Sequence, residues 1–151
     1  MTARSLVLDE FIPFRLSFTS NLVSDIIARA YEALFGLSIP EWRLVAVVAE
    51  TGGVTQLEVR RRTRMDKVTV SRAAAALVAR GLLTREARAG DKRSHLLTLT
   101  DAGRSLYRAV APEALALEAR IFAAFTPEEV ASLKAMLRRI DAETLALGVT
   151  R

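Results

Sequence analysis

No cysteine occurs in this sequence, and histidine occurs once, as His95. Those scarcities exclude a disulfide framework and a thiol redox switch, and they leave too few ligands for a Cys/His zinc site. Long apolar runs are missing too. The longest, Leu44–Ala49 and Ala73–Ala79, fall far short of the roughly 20 residues that cross a bilayer. Near the start, Asp9 and Glu10 stand where a secretion signal would carry a basic flank and then an apolar run. There is no Gly-rich phosphate loop, no Ser/His/Asp set that one histidine could complete, and no metal-ligand spacing. The acidic pair Glu128-Glu129 has a structural reason to exist, at a helix start. By elimination the expectation is a cytoplasmic protein that is not an enzyme, uses no cofactor or metal and does not enter a membrane.

What the chain does have is apolar content and basic charge. Of its 151 residues 51% are apolar and 26% charged, enough for a sizeable core and against global disorder. The sequence pI is about 10.4, which favours an anionic partner. The charge is concentrated. Thr55 to Arg104 holds twelve Lys and Arg against five acids, a local +7 inside a chain of net +5. The rest of the chain is therefore mildly acidic. A basic module in such a frame is the footprint of phosphate-backbone binding.

Helix signals punctuate the first half. Residues 1–11 form a short arm. A long helix begins near Pro13, carries Leu16, Leu22, Val23, Ile26, Ile27, Ala30, Tyr31, Leu34 and Phe35 at three- and four-residue steps, and ends at Gly36. Ser38 with Glu41 is a capping box that opens a second helix through Thr51, with Trp42, Val45, Val48 and Ala49 on its inner face. Gly52-Gly53 breaks the chain, and Thr55 with Glu58 repeats the box for a short third helix. Asp66 caps a fourth, running from Lys67 to about Arg80 before Gly81. Its inner stripe should be Val70, Ala73 or Ala74, Leu77 and Val78. Arg80, at its end, suits that helix's dipole.

Two apolar-rich runs, Leu82–Ala87 and Ser94–Leu99, flank the polar stretch Arg88–Arg93 and read as a β-hairpin. A long helix follows from Thr100, with Pro112 inside it predicting a kink. Thr126-Pro127-Glu128-Glu129 opens the last helix.

Two helices joined by a tight turn, the second polar and basic at its start, make a helix-turn-helix. Its second helix would lie in a major groove with free N–H groups and the positive dipole end toward phosphates. Lys67, Val68, Thr69, Ser71 and Arg72 are the candidate reading residues, and Arg is the side chain best matched to guanine. The hairpin is the candidate wing, with Arg88, Asp91, Lys92 and Arg93. Arg93 suits a narrow minor groove, oriented by Asp91. Thr55, Gln56, Arg61, Arg62 and Arg64 are candidate phosphate contacts, although an arginine run can equally be a solvated helix face.

The run Asp66-Lys67-Val68-Thr69-Val70-Ser71-Arg72, then Leu77–Leu83, Asp91-Lys92-Arg93-Ser94 and Leu97–Gly103 resembles the MarR family of bacterial transcription regulators. Pro40-Glu41-Trp42-Arg43 is similar to it as well. The likeness extends from about Phe11 to Leu147, and its most discriminating piece is the Asp-x-Arg-Ser wing. It implies a mainly α fold with a small β-hairpin wing, a winged helix-turn-helix at 37–100 flanked by dimerisation helices at 1–36 and 101–151. It also implies a homodimer on a pseudo-palindromic duplex operator, acting as a repressor and released by a small aromatic or carboxylate effector. With no Cys and one His, the chain departs from the oxidant- and zinc-sensing relatives. Phe14, Arg15, Phe18, Trp42 and Arg43 are the candidate effector pocket. For the aromatics the competing role is core or dimer packing, and for the arginines surface ion pairing. A winged helix can also be a protein-docking module; the excess positive charge around helix and hairpin argues against that alternative.

Overall fold

The computed structural model describes residues 3–88 and 91–148. Among them the order is a 3₁₀ turn at Leu8–Glu10, α1 (Ile12–Phe35), α2 (Ile39–Thr51), α3 (Gln56–Thr63), α4 (Lys67–Ala79), β1 (Leu83–Arg88), β2 (Asp91–Leu99), α5 (Asp101–Ile121) and α6 (Pro127–Gly148). The helices start and stop where local chemistry requires. Pro13 sits in the first turn of α1, and Gly36 ends it at φ 63. Ser38 and Glu41 form a complete capping box on α2, and Thr55 and Glu58 form another on α3. The arm is partly ordered by the 3₁₀ turn, in which the Phe11 N–H donates to the Leu8 carbonyl at 3.0 Å.

The chain divides into two compact units, Met1–Ala114 and Leu115–Arg151. In the first, the core is built from α2, α4, the hairpin and single residues of the other elements. Leu37, Leu44, Val45, Val48, Val54, Val59, Val70, Leu77, Leu83, Leu97 and Val110 are fully buried. Each such side chain contributes about 1.5–3 kcal/mol relative to exposure. Helix α2 buries Leu44 and Val47 besides Val45 and Val48, so it is covered on more than one face. On α4 the buried stripe is Val70, Ala73, Ala74 and Leu77. Val78, expected in that stripe, is instead 36% exposed, because the turn into the hairpin leaves its side of the helix end uncovered.

The hairpin pairs antiparallel from Leu83↔Leu99 through Ala87↔His95, then slips so that Arg88 faces Asp91. A third extended piece joins it. Val54 exchanges both backbone hydrogen bonds with Leu97, at 3.1 and 2.8 Å, which ties the loop before α3 to the base of the wing.

In the second unit, α6 opens with a capping box: the Glu129 N–H donates to the Thr126 hydroxyl at 3.1 Å, and the Thr126 N–H to the Glu129 carboxylate at 3.0 Å. Helix α5 continues past Pro112. No residue of α6 is buried, and its apolar positions Leu133, Met136, Leu137, Ile140 and Leu145 are exposed at helical spacing.

Candidate nucleic-acid interface

The capping box on α3 fixes how the chain enters the helix-turn-helix. The Glu58 N–H donates to the Thr55 hydroxyl at 3.3 Å, and Val59 anchors the helix in the core. Helix α3 stops at Arg64, whose backbone is left-handed at φ 61. Among the described residues it is the one non-glycine in that region, where a side chain crowds the following carbonyl at a cost of about 1–2 kcal/mol. Two residues on, Asp66 caps α4 by accepting the Thr69 N–H at 2.7 Å. That backbone hydrogen bond, followed by the Thr69 side chain, holds the Asp66 carboxyl below the ordinary carboxylate range. The cap on α4 expected at Asp66 is therefore present, and it takes up part of the helix start's N–H set. Thr69's is taken, and a carboxylate already stands at the positive end of the dipole.

With Val70, Ala73, Ala74 and Leu77 turned inward, the opposite side of α4 faces out. Lys67, Val68, Ser71 and Arg72 are exposed and Thr69 is half-buried. Lys67 with Ser71, and Val68 with Arg72, stand one turn apart, so the candidate reading residues share one outward face. Among the described residues Arg72 has no ion-pair partner.

The candidate phosphate contacts separate into two groups. Arg61, Arg62 and Arg64 are exposed and Gln56 is half-buried. Thr55 is 8% exposed and its hydroxyl is engaged in the cap, so its part is to aim the helix. Arg60, next in the arginine run, is half-buried with its Nε enclosed and without a hydrogen-bond partner; it is the structural member of the triplet.

On the wing the six-residue turn expected at Arg88–Arg93 is replaced by longer strands. Arg88 ends β1, and Asp91, Lys92 and Arg93 belong to β2. Beyond Ala87 the register shifts, so that Arg88 pairs with Asp91. The side chains of Arg88, Asp91, Lys92 and Arg93, and with them the expected Asp91–Arg93 ion pair, lie outside the described residues. Arg85 and His95 are exposed on the two strands.

The candidate effector residues fall into two groups. At the start of α1 the Phe14 and Phe18 rings lie 5.9 Å apart, and the Arg15 guanidinium sits 5.2 Å from the Phe18 ring centre while pairing with Asp9 at 2.9 Å. On α2, Trp42 packs edge-on against Tyr31 at 5.7 Å and stacks on Tyr107 of α5 at 5.8 Å and 16°. Burial raises the Tyr31 pKa, and the nearby charge of Arg43 partly offsets this.

Sequence reasoning missed two features. One is an open cavity of about 270 Å³ between the end of α2, the end of β2 and the start of α5, lined by Val48, Leu99, Arg104, Tyr107 and Arg108 among others. No periodicity in the sequence brings those three segments together. The other is Arg80. Besides standing at the end of its own helix, its guanidinium donates to the Gly36 carbonyl at 3.0 Å and the Phe35 carbonyl at 3.3 Å, at the end of α1.

Residues 35–94 match the family model described as MarR family. No curated protein matches the sequence. The fold matches solved structures over nearly their full lengths. A probable transcriptional regulator from Pseudomonas aeruginosa is 28% identical, with 89% of this chain and 99% of that one covered and a TM-score of 0.80. A MarR/EmrR family transcriptional regulator from Acinetobacter sp. ADP1 is 22% identical, with 92% and 98% covered and a TM-score of 0.85. BpsR of Bordetella bronchiseptica, whose DNA binding is regulated by 6-hydroxynicotinic acid, is 22% identical, with 92% and 99% covered and a TM-score of 0.80.

Proposed function

We propose, on the premise that residues 35–94 are MarR-family sequence carried on a MarR-type winged-helix fold, that this protein is a cytoplasmic, sequence-specific, duplex-DNA-binding transcriptional repressor. The observation that carries the reading is the outward face of α4. Lys67, Val68, Ser71 and Arg72 present two cations, a hydroxyl and a methyl-bearing side chain from one exposed helix start. Those are the groups that pair with phosphates, guanine acceptors and thymine methyls in a major groove. Arg61, Arg62 and Arg64 flank the face for backbone contact, and the wing carries Arg93 to the adjacent minor groove.

Residues 37–100 form the DNA-binding part and the flanking segments the dimerisation parts. The exposed stripes support a homodimer: Leu16, Leu22 and Ile26 on α1, and Leu133, Met136, Leu137 and Ile140 on α6. Contiguous apolar surface at helical spacing is the mark of a buried partner face. A twofold dimer matches a pseudo-palindromic operator, its two recognition helices about 34–36 Å apart. An effector of the small aromatic or carboxylate class releases the DNA by favouring a dimer of another spacing. The effect of 6-hydroxynicotinic acid on BpsR supports that class.

The test is fluorescence anisotropy on duplex from the region upstream of the gene, against a scrambled duplex, over a salt series. Specific binding should show a strong preference for the native duplex, with log affinity falling by about 0.9 per phosphate neutralised for each decade of salt. Equal, weak binding to both duplexes would remove the repressor reading and point to protein docking.

A further inference from the structure

The three residues that leave the recognition helix, Arg80, Gly81 and Leu82, are tied to two other helices at once. Arg80 donates to the Gly36 and Phe35 carbonyls. The Gly81 carbonyl accepts from the Thr100 hydroxyl at 2.7 Å, and the Leu82 carbonyl from the Thr100 N–H at 3.1 Å. Thr100 in turn caps α5 by accepting the Gly103 N–H at 3.0 Å. The end of α1 and the start of α5 therefore both close on the end of α4.

The tie to α1 is the selective one. Helix α1 has no basic residue in its last turn, so its own sequence leaves the negative end of its dipole uncompensated. The left-handed Gly36 and the following Leu37 donate to the Glu32 and Tyr31 carbonyls, and Phe35 and Gly36 are left to find donors elsewhere. A guanidinium offers two in a fixed fork, charge-assisted at a carbonyl-rich helix end. A lysine ammonium could reach both carbonyls only from a single atom on a flexible stem and would not fix an angle.

We infer that Arg80 is a positioning residue through which the end of α1 sets the pose of the recognition helix. This rests on the DNA-binding reading above for its consequence, but not for its geometry. Motion of α1 is then transmitted to α4 through a rigid two-point contact rather than only through the packing of α2 between them.

The experiment compares wild type with Arg80→Met and Arg80→Lys. Amide hydrogen exchange without DNA comes first. In Arg80→Met, exchange should quicken together in the last turn of α1 and the last two turns of α4, with α3 unchanged; Arg80→Lys should fall between. A change confined to α1 would make Arg80 a plain cap and overturn the inference, as would no change at all. DNA binding follows on native and scrambled duplexes over the salt series. Arg80→Met should shrink the preference for the native duplex roughly tenfold, the scale of one lost charge-assisted hydrogen bond, with the salt slope unchanged. A slope shallower by about 0.9 with the preference intact would make Arg80 a phosphate contact instead. If wild type itself shows no preference, the repressor reading fails, while the exchange result still decides the tie.

Discussion

Gly103 packs so closely under Leu82 that a Cβ on it would lie 2.1 Å from the Leu82 carbonyl oxygen. That oxygen is already held by the Thr100 N–H, so neither partner can move aside cheaply. The first turn of α5 and the entry to β1 are thus locked in register by the absence of a side chain. Gly103→Ala should destabilise the fold by about 1–3 kcal/mol, the range for overpacking a tight site, read as a lower midpoint in urea. Ala102→Gly, one position away on an exposed part of the same turn, should cost less.

Arg64 holds a left-handed backbone that glycine would adopt more easily. Arg64→Gly should therefore stabilise the protein, by about 1 kcal/mol, and at the same time weaken DNA binding with a shallower salt slope. Denaturation and anisotropy on the same preparation separate the two effects. A variant that gained stability and kept its full affinity would assign Arg64 no part in binding.

Asp66 is a carboxylate whose pKa is lowered by the Thr69 N–H. Its capping contribution is complete above the ordinary value of 3.8 and is lost as pH falls through the lower folded value. Asp66→Asn keeps an acceptor for Thr69 without a titrating charge. Wild type should therefore lose stability relative to Asp66→Asn as the solution is acidified below 3.8, and the gap should be flat near neutrality. Parallel acid profiles would show that the cap is not linked to protonation.

Arg72 is exposed beside Lys67 and Ser71 on the outward side of α4. Arg72→Ala should cost about 1–3 kcal/mol of binding and relax specificity at one base pair. A loss of the same size on every duplex would restrict Arg72 to phosphate.

Leu137 and Ile140 stand on an α6 face that the single chain leaves uncovered. Leu137→Glu should shift the protein from dimer to monomer in sedimentation while its helical content stays near that of wild type. A variant that sediments as wild type would move the dimer interface off that face.

Much of this protein was determined by its sequence alone. The helix starts at Ser38, Thr55, Asp66 and Thr126, and the stop at Gly36, follow from groups within a few residues of one another; capping is a local negotiation over orphan backbone groups, so it is readable locally. The outward face of α4 was legible for the same reason, since four buried positions at helical spacing define the opposite side. The uncovered stripes of α1 and α6 were visible as apolar periodicity, but the sequence could not say that a single chain leaves them bare. Tertiary structure alone decided the rest. That Arg80 reaches the end of α1, that Val54 joins the wing at Leu97, and that α2 meets the β2–α5 junction around an open cavity all depend on segments about 40 residues apart or more meeting in space. Side-chain reach and backbone pairing carry no sequence periodicity across such distances, so only the folded chain could reveal them.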